Sequence, residues 1–92
     1  MKKINNPFYA LYNVIDLHGL DREFAIIKVK EFISDSLKMG KCNIVIIHGR
    51  GSGILKRSVH QYLRTDKRVK EFKIDNFNDG ETIVRLGEEY EK

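Results

Sequence analysis

Hydrophobic and polar residues follow two different spacings along the chain, and the changes of spacing divide it into six elements. Short stretches rich in β-branched residues at 13–17, 43–47 and 82–86 are typical of strands, and the unbroken middle one predicts a strand covered on both faces. Phe72 and Ile74 alternate with charged residues, as on a half-exposed edge strand. We therefore predict four strands, with the last more central than the third.

Two stretches between these strands have apolar residues at helical spacing. The first follows Asp21, a suitable N-cap, carries Glu23 in its first turn, and stops at Gly40. Its predicted buried stripe is Ile26, Val29, Ile33 and Leu37, with Phe32 alongside. The second begins near Ile54, and its predicted apolar face is Leu55, Val59, Tyr62 and Leu63.

The resulting order, β-α-β-α-β-β, predicts one domain of the α/β class, an α+β two-layer sandwich. Right-handed crossovers place both helices on one face of a four-stranded mixed sheet. We expect a turn at 76–81, a folded domain over 13–87 and an acidic tail at 88–92. We predict that residues 1–12 form an irregular N-terminal arm whose aromatic residues either lie against the domain or stack on bases.

Composition narrows the cellular setting and the class of partner. A single cysteine, Cys42, excludes an internal disulfide, and with no secretory signal or long apolar run we expect a cytoplasmic protein without a membrane partner. The net charge of +4 is modest, but residues 41–70 contain eight Lys/Arg and a single acid, Asp66. Such asymmetry favours an anionic partner, although a solvated basic helix face would give the same pattern.

Two histidine–glycine motifs each close a predicted strand and precede a predicted helix. They are Asp16-Leu17-His18-Gly19 and Ile47-His48-Gly49-Arg50-Gly51-Ser52-Gly53. Ligands of open α/β sheets bind at the carboxyl ends of the strands. We therefore expect both motifs to meet at one rim and to form one phosphate-handling site.

The first motif offers acid–base chemistry. Asp16 and His18 alternate at a strand end, so their side chains should point to the same side, with the carboxylate orienting the imidazole. In RNA cleavage such a pair could deprotonate a 2′-hydroxyl or protonate the leaving oxygen without a metal. The alternatives are a metal site formed by Asp16, His18 and His48, or a turn aspartate with histidines bonded to the backbone.

The second motif offers anion binding. Gly49, Gly51 and Gly53 leave backbone N–H groups unshielded where the following helix points its positive end. Arg50 and Arg57 would add forked donors to phosphate oxygens. The motif is neither a Walker P-loop, because no Gly-Lys-Ser/Thr closes it, nor a dinucleotide fingerprint, because its third glycine comes one residue early. A tight strand-to-helix turn is the structural alternative.

The two motifs in this order, with Leu55-Lys56-Arg57 after the second, resemble the Smr (small MutS-related) domain from about Val14 to Leu86. The resemblance implies a β-α-β-α-β-β sandwich similar to the C-terminal domain of a bacterial translation initiation factor. It also implies nucleic-acid binding, with endonuclease or nicking activity in several members. For some members it implies cleavage or rescue at stalled ribosomes.

The resemblance also assigns roles to individual residues. Asp16 and His18 fall on the proposed catalytic Asp-Leu-His element. The substrate-binding His-Gly-x-Gly loop falls on His48, Gly49, Arg50, Gly51 and Gly53, and we add Lys56 and Arg57 as phosphate contacts. The chain departs from the family at 78–82, where a longer glycine-rich stretch is common: one glycine remains, with Glu81 beside Thr82. An acid there would repel phosphate or reshape the rim, so the resemblance supports nucleic-acid binding more firmly than catalysis.

We therefore predict an Smr-type endonuclease that acts on RNA or RNA–ribosome complexes in preference to DNA. No cofactor is required in this hypothesis, and a divalent metal is the alternative. A binding module without chemistry is the second hypothesis. An enzyme acting on a small phosphorylated metabolite is a weaker third, because a short chain rarely forms the deep pocket that such a substrate needs.

Overall fold

The computed structural model describes residues 12–87. The elements are β1 (Asn13–Asp16), α1 (Arg22–Lys38), β2 (Asn43–Ile47), α2 (Ile54–Leu63), β3 (Val69–Asp75) and β4 (Asn78–Leu86). The strands lie in the order β1-β2-β4-β3, with β1 parallel to β2 and β4 antiparallel to both of its neighbours. The predicted four-stranded mixed sheet is confirmed, with β3 at an edge and β4 inside. Most of the predicted N-terminal arm, 1–11, and the acidic tail, 88–92, lie outside the described residues.

Both helices pack on the same face of this sheet. Ile44 and Ile46 of β2 belong to the same buried cluster as side chains of β4, α1 and α2, namely Val84, Leu86, Ala25, Val29, Ile33, Val59 and Leu63. Val45, whose side chain points to the other face, is also fully buried. The prediction that β2 is covered on both faces is therefore confirmed. Within residues 12–87 no helix is both long and apolar enough to cross a bilayer.

Helix α1 begins as predicted, but its buried stripe differs from the prediction. Asp21 Oδ1 accepts from the Phe24 amide over 2.8 Å, which is an N-cap bond. The fully buried residues are Ala25, Val29, Ile33 and Ser36, whereas Ile26 and Leu37 are only half-buried. Ser36 can be buried because its Oγ accepts from Asn13 Nδ2 over 2.9 Å, a bond that joins α1 to β1.

The predicted turn at 76–81 is too long. Strand β4 already begins at Asn78, opposite Asp75, so only Asn76 and Phe77 form the turn. The extra residues form β4 because their backbone has partners: Glu81 lies in register with Ile47, and the Gly80 carbonyl accepts from the amides of His48 and Gly49. The start of β4 therefore reaches the rim at which β1 and β2 end.

Candidate active site

The first motif holds an imidazole and a carboxylate together at the end of β1. Asp16 Oδ1 lies 2.7 Å from His18 Nδ1 and also accepts from the His18 amide over 3.1 Å. The side chains of His18 and Asp16 are 72% and 52% exposed. Leu17 between them is fully buried and anchors the turn, so its neighbours on both sides point outward. The predicted pairing of Asp16 with His18 is present and is open to solvent.

The second motif lies directly beside the first. Asp16 is in register with Ile47, so β1 and β2 end side by side. Gly49 has φ +85°, and a Cβ added there would lie 3.4 Å from His18 Cβ. A side chain at Gly49 would therefore be strained by the backbone conformation, and its Cβ would touch the His18 side chain. Residues 18–22 and 48–56 together line one open cleft of about 800 Å³. The prediction that the two motifs converge on one rim is confirmed.

The two helices present different N-termini to this cleft. The N-terminus of α1 is capped by Asp21, and Glu23 lies in its first turn. Helix α2 begins after Gly53, at φ 87° and ψ 1°, with no side-chain cap at that residue and no acid in its first turn. Ser52 Oγ accepts from the Ile54 amide over 3.3 Å. Because an N-terminus with unfilled amides attracts anions, the α2 terminus is the one suited to phosphate.

Arginine and lysine side chains occupy different positions around this terminus. Arg50 and Lys56 line the cleft, and Arg50 Nε lies 2.8 Å from Asp79 Oδ1 in an exposed ion pair. Arg57 is exposed and lies just outside the cleft, with its Nη1 3.3 Å from where a Cβ on Gly53 would stand. Arg22, which lies outside both sequence motifs, also lines the cleft. The phosphate-binding prediction for Arg50 and Lys56 has suitable geometry, while Arg57 is peripheral.

His48 was predicted to hold phosphate, but the structure turns its ring inward. It is buried, with Nε2 2.8 Å from Thr82 Oγ1 and Nδ1 3.1 Å from the Gly49 carbonyl. His60 Nε2 lies 2.7 Å from the same threonine oxygen. Sequence reasoning missed Thr82 and His60 as supports of the site. The alternation of side chains along β2 could have indicated the buried His48 ring, because His48 continues the series of inward-pointing side chains at Ile44 and Ile46.

Hydrogen-bonding rules favour one set of proton positions in this cluster. His48 Nδ1 faces a carbonyl and must donate to it, so a neutral ring accepts at Nε2 from the Thr82 hydroxyl. That hydroxyl in turn accepts from His60 Nε2–H. The arrangement is complete with both rings neutral, since His48 needs a proton only on Nδ1 and His60 donates from Nε2. It holds the Gly49 carbonyl and so supports the turn that begins the second motif.

Burial favours the neutral form of both rings. It lowers the pKa of His48, with a further lowering from Lys56, against opposition from the Gly49 carbonyl and Asp79. Burial also lowers the pKa of His60, and the nearby His48, Arg64 and Lys56 lower it further.

We expect acid to destabilise the fold through these two histidines. In the unfolded chain they titrate near pH 6.5, whereas in the fold their pKa values are lower, so unfolding takes up protons in that interval. The free energy of unfolding should therefore fall as the pH drops below about 6.5. Melting temperatures at pH 7.5 and 5.5 measure this, and the drop should be smaller in His60→Gln. His18→Gln, which removes an exposed ring, is the matched control, and an equal drop in native protein and His60→Gln would refute the assignment.

The first residues of β4 pack on the glycine loop, residues 49–53. A Cβ on Gly80 would lie 3.2 Å from Arg50 Cγ and 3.4 Å from the Gly49 carbonyl carbon. Because the amides of His48 and Gly49 donate to the Gly80 carbonyl, only amides after residue 49 remain for phosphate. Glu81, expected to repel phosphate or reshape the rim, is buried; the exposed acid of this part of β4 is Asp79.

The predicted three-ligand metal alternative does not match the geometry. Among residues 12–87 no group of three or more His, Cys, Asp or Glu side chains is close enough to hold a metal ion. Asp16 and His18 are adjacent, but the ring nitrogens of His48 face Thr82 and the Gly49 carbonyl.

Comparison with known proteins agrees with this architecture. The family model of the Smr domain matches residues 15–86. The Endonuclease MutS2 of Caldanaerobacter subterraneus subsp. tengcongensis is 34% identical over 86 residues, which are 90% of this chain but 11% of that protein. The chain therefore spans about a tenth of the length of this relative.

Two solved structures have the same fold. The crystal structure of the Smr domain of Thermus thermophilus MutS2 superimposes with a TM-score of 0.80 at 29% identity, over 83% of this chain and 99% of that one. YdaL, a stand-alone small MutS-related protein from Escherichia coli, gives 0.78 at 24% identity over 84% of this chain and 68% of that one, a likeness of fold alone. With most of its length matched by the family model, the chain belongs to the Smr domain family.

Proposed function

We propose that this chain is an Smr-type endonuclease that cleaves RNA in preference to DNA. The observation that carries the proposal is the 2.7 Å contact between Asp16 and His18, beside a cleft that also holds the N-terminus of α2, where the N-cap residue Gly53 has no side chain. A proton-transfer pair and an anion site in one cleft are the two parts that phosphodiester cleavage needs. The name of the MutS2 relatives, Endonuclease MutS2, adds support for cleavage.

The proton-transfer step follows from the tautomer that Asp16 selects. Its carboxylate accepts from His18 Nδ1–H, which leaves the lone pair on Nε2. In the proposed reaction Nε2 takes the proton of the ribose 2′-hydroxyl, the 2′-oxygen bonds to phosphorus, and the bond to the 5′-oxygen breaks. The leaving oxygen receives a proton from water or from the imidazolium. The products are a 2′,3′-cyclic phosphate and a 5′-hydroxyl, and DNA lacks the internal nucleophile.

The phosphate would be held by groups on the opposite wall of the cleft. Arg50 and Lys56 supply positive charge, and the first-turn amides of α2 supply donors aimed outward. Gly51 keeps the approach clear of side chains, Gly53 supplies the positive φ at which α2 begins, and Gly49 allows the loop to pass close to His18. Arg57 contributes a more distant charge. We assign His48 to support of the loop through Thr82 rather than to direct phosphate contact.

Cleavage of labelled RNA tests this function. The native protein is incubated with a 5′-labelled RNA and with DNA of the same sequence, each with and without EDTA. We expect RNA cleavage that survives EDTA and leaves a cyclic phosphate end. Cleavage of DNA alone, or no cleavage, would refute the proposal, and loss of activity in EDTA would establish a metal-dependent route. We also propose the ribosome as a partner and the cytoplasm as the location. Co-sedimentation with ribosomes tests the partner.

A binding module without chemistry is the second candidate, and one contact favours it. The ion pair with Asp79 already engages Arg50, so part of the positive charge at the rim is neutralised. Such a module would bind nucleic acid with an affinity that falls steeply as salt rises, because phosphate contacts release counterions. Binding of this kind without turnover on any RNA or DNA would select this candidate.

We expect Asp79→Asn to strengthen nucleic-acid binding. The substitution removes a negative charge beside the cleft and releases Arg50 from its 2.8 Å contact. Because exposed ion pairs contribute up to about 1 kcal/mol, the dissociation constant should fall about two- to five-fold at low salt. Glu71→Gln is the matched control, since it removes the same charge from the exposed pair with Arg85, 3.0 Å long. Titrations by fluorescence anisotropy measure both, and unchanged or weaker binding by Asp79→Asn would contradict the assignment.

A further inference from the structure

A phenylalanine stands almost fully exposed at the tip of the β3–β4 hairpin. Phe77 is 96% exposed, whereas Met39, the next most exposed large apolar side chain within residues 12–87, is 59% exposed. An apolar side chain stabilises a fold when folding removes it from water. The Phe77 ring remains in water and therefore contributes no such stabilisation. The turn conformation does not require this residue either, since only glycines have positive φ among the described residues. Folding therefore does not explain the ring at this position.

The tip that carries the ring is held by hydrogen bonds. Asp75 Oδ1 accepts from the Phe77 amide over 2.9 Å, and Asn78 Oδ1 accepts from the Gly80 amide over 2.9 Å. Asp75 and Asn78 also face each other across the two strands. Aspartate and asparagine side chains that bond to the backbone two residues on are typical of fixed turns. The ring therefore projects from an ordered support.

The same tip is joined to the candidate active site. Asp79 pairs with Arg50, and the Gly80 carbonyl accepts from the amides of His48 and Gly49. Phe77 precedes Gly80 by three residues, so the two Cα atoms lie within about 11 Å. That upper limit corresponds to at most about three stacked nucleotides at 3.4 Å each. In the sheet order, the tip lies on the opposite side of the glycine loop from the Asp16–His18 pair.

We infer that Phe77 stacks on an unpaired base of a single-stranded nucleic acid whose phosphate lies at the glycine loop. The inference rests on the proposed function, because that phosphate places the base beside the ring. Stacking on an aromatic ring tolerates any base, since every base has a flat face. Bases inside a duplex have both faces covered by neighbours. The residue would therefore give the site a preference for single strands without sequence specificity.

Binding to an uncleavable strand tests the inference. The probes are a 12-nucleotide 2′-O-methyl single strand and the same strand with its bases removed. Phe77→Ala should weaken binding of the normal strand about ten-fold and leave binding of the abasic strand unchanged. Ile27→Ala, an exposed apolar position on α1, is the control and should bind both strands as the native protein does. Because the chain contains no tryptophan, Phe77→Trp reports on this position alone, and the normal strand should quench its emission.

The outcomes separate this inference from the proposed function. If Phe77→Ala binds both strands like the native protein and Phe77→Trp is not quenched, stacking is refuted. The proposed phosphate site still stands in that case if Arg50→Ala weakens binding of the abasic strand. Failure of the native protein to bind either strand refutes both. Sedimentation supplies a further check: a native dimer that becomes a monomer in Phe77→Ala would make the ring a self-association contact and refute the inference.

Discussion

Replacing His18 by alanine is expected to slow RNA cleavage by about 100- to 10,000-fold, the usual contribution of a positioned acid or base. The ring lines the cleft, and Asp16 Oδ1 lies 2.7 Å from its Nδ1. Asp16→Asn should slow cleavage by much of the same factor, because an amide does not fix the tautomer of the His18 ring as a carboxylate does. Both side chains are exposed, so neither change should lower the melting temperature appreciably. Single-turnover rates on one RNA measure the effect.

The control for these variants is Asp35→Asn, which removes one carboxylate from the exposed side of α1. It should cleave at the native rate. Full activity in both His18→Ala and Asp16→Asn would show that the pair does not perform the chemistry, and the binding-module candidate would then gain support.

The largest expected loss of stability comes from Asp66→Ala. Asp66 accepts from Arg68 Nε over 2.9 Å and from Arg68 Nη2 over 2.7 Å, and it also accepts from the Tyr62 hydroxyl. Arg68 Nη1 donates to Ser34 Oγ over 2.8 Å, so the cluster joins α1, α2 and the start of β3. The side chains of Arg68 and Asp66 are only 19% and 5% exposed. Removing the carboxylate leaves a mostly buried guanidinium without its counter-charge, at a cost of about 3–5 kcal/mol.

Urea unfolding of Asp66→Ala, the native protein and Glu71→Ala measures this cost. Glu71 pairs with Arg85 on the surface, so its removal should cost under about 1 kcal/mol. A value for Asp66→Ala within about 1 kcal/mol of the native protein would show that this cluster adds little to the fold.

Because of the same carboxylate, we expect the free energy of unfolding to fall in acid. The hydrogen bonds from Arg68 lower the pKa of Asp66 to about 2, against about 3.9 in an unfolded chain. The stabilisation is complete above pH 4 and is lost as the pH falls from about 4 to 2, and it amounts to about 2 kcal/mol. The free energy of unfolding of Asp66→Ala should not show this decrease between about pH 4 and pH 2.

The sequence predicts the order of the elements because apolar residues are spaced differently in strands and in helices. Each change of spacing falls near a glycine or a helix cap. It places the start of β4 too late because Asn78 and Asp79 are typical of turns. What keeps them in the sheet is pairing with β3 and contact with the glycine loop, both set by distant residues. The shifted stripe of α1 has a similar cause, since a bond from Asn13 allows Ser36 to be buried.

The candidate site was predictable where a single strand end determines the geometry. Asp16 and His18 lie as alternation requires, and Arg50 lies on the exposed loop that follows β2. The partnership of Thr82 with His48 and His60 joins three elements that are far apart in sequence. Local patterns carry no information on such a cluster, and they gave no sign that Asp79 would pair with Arg50.

Amide chemical shifts during titration with an uncleavable 2′-O-methyl RNA test most directly whether the two motifs form one phosphate site. We expect the amides of His18, Gly51, Gly53, Leu55 and Lys56 to shift together along one binding curve, and the response to weaken in Arg50→Ala. Shifts limited to one of the segments 18–22 and 48–56, or absent from both while the RNA binds elsewhere, would contradict a shared site.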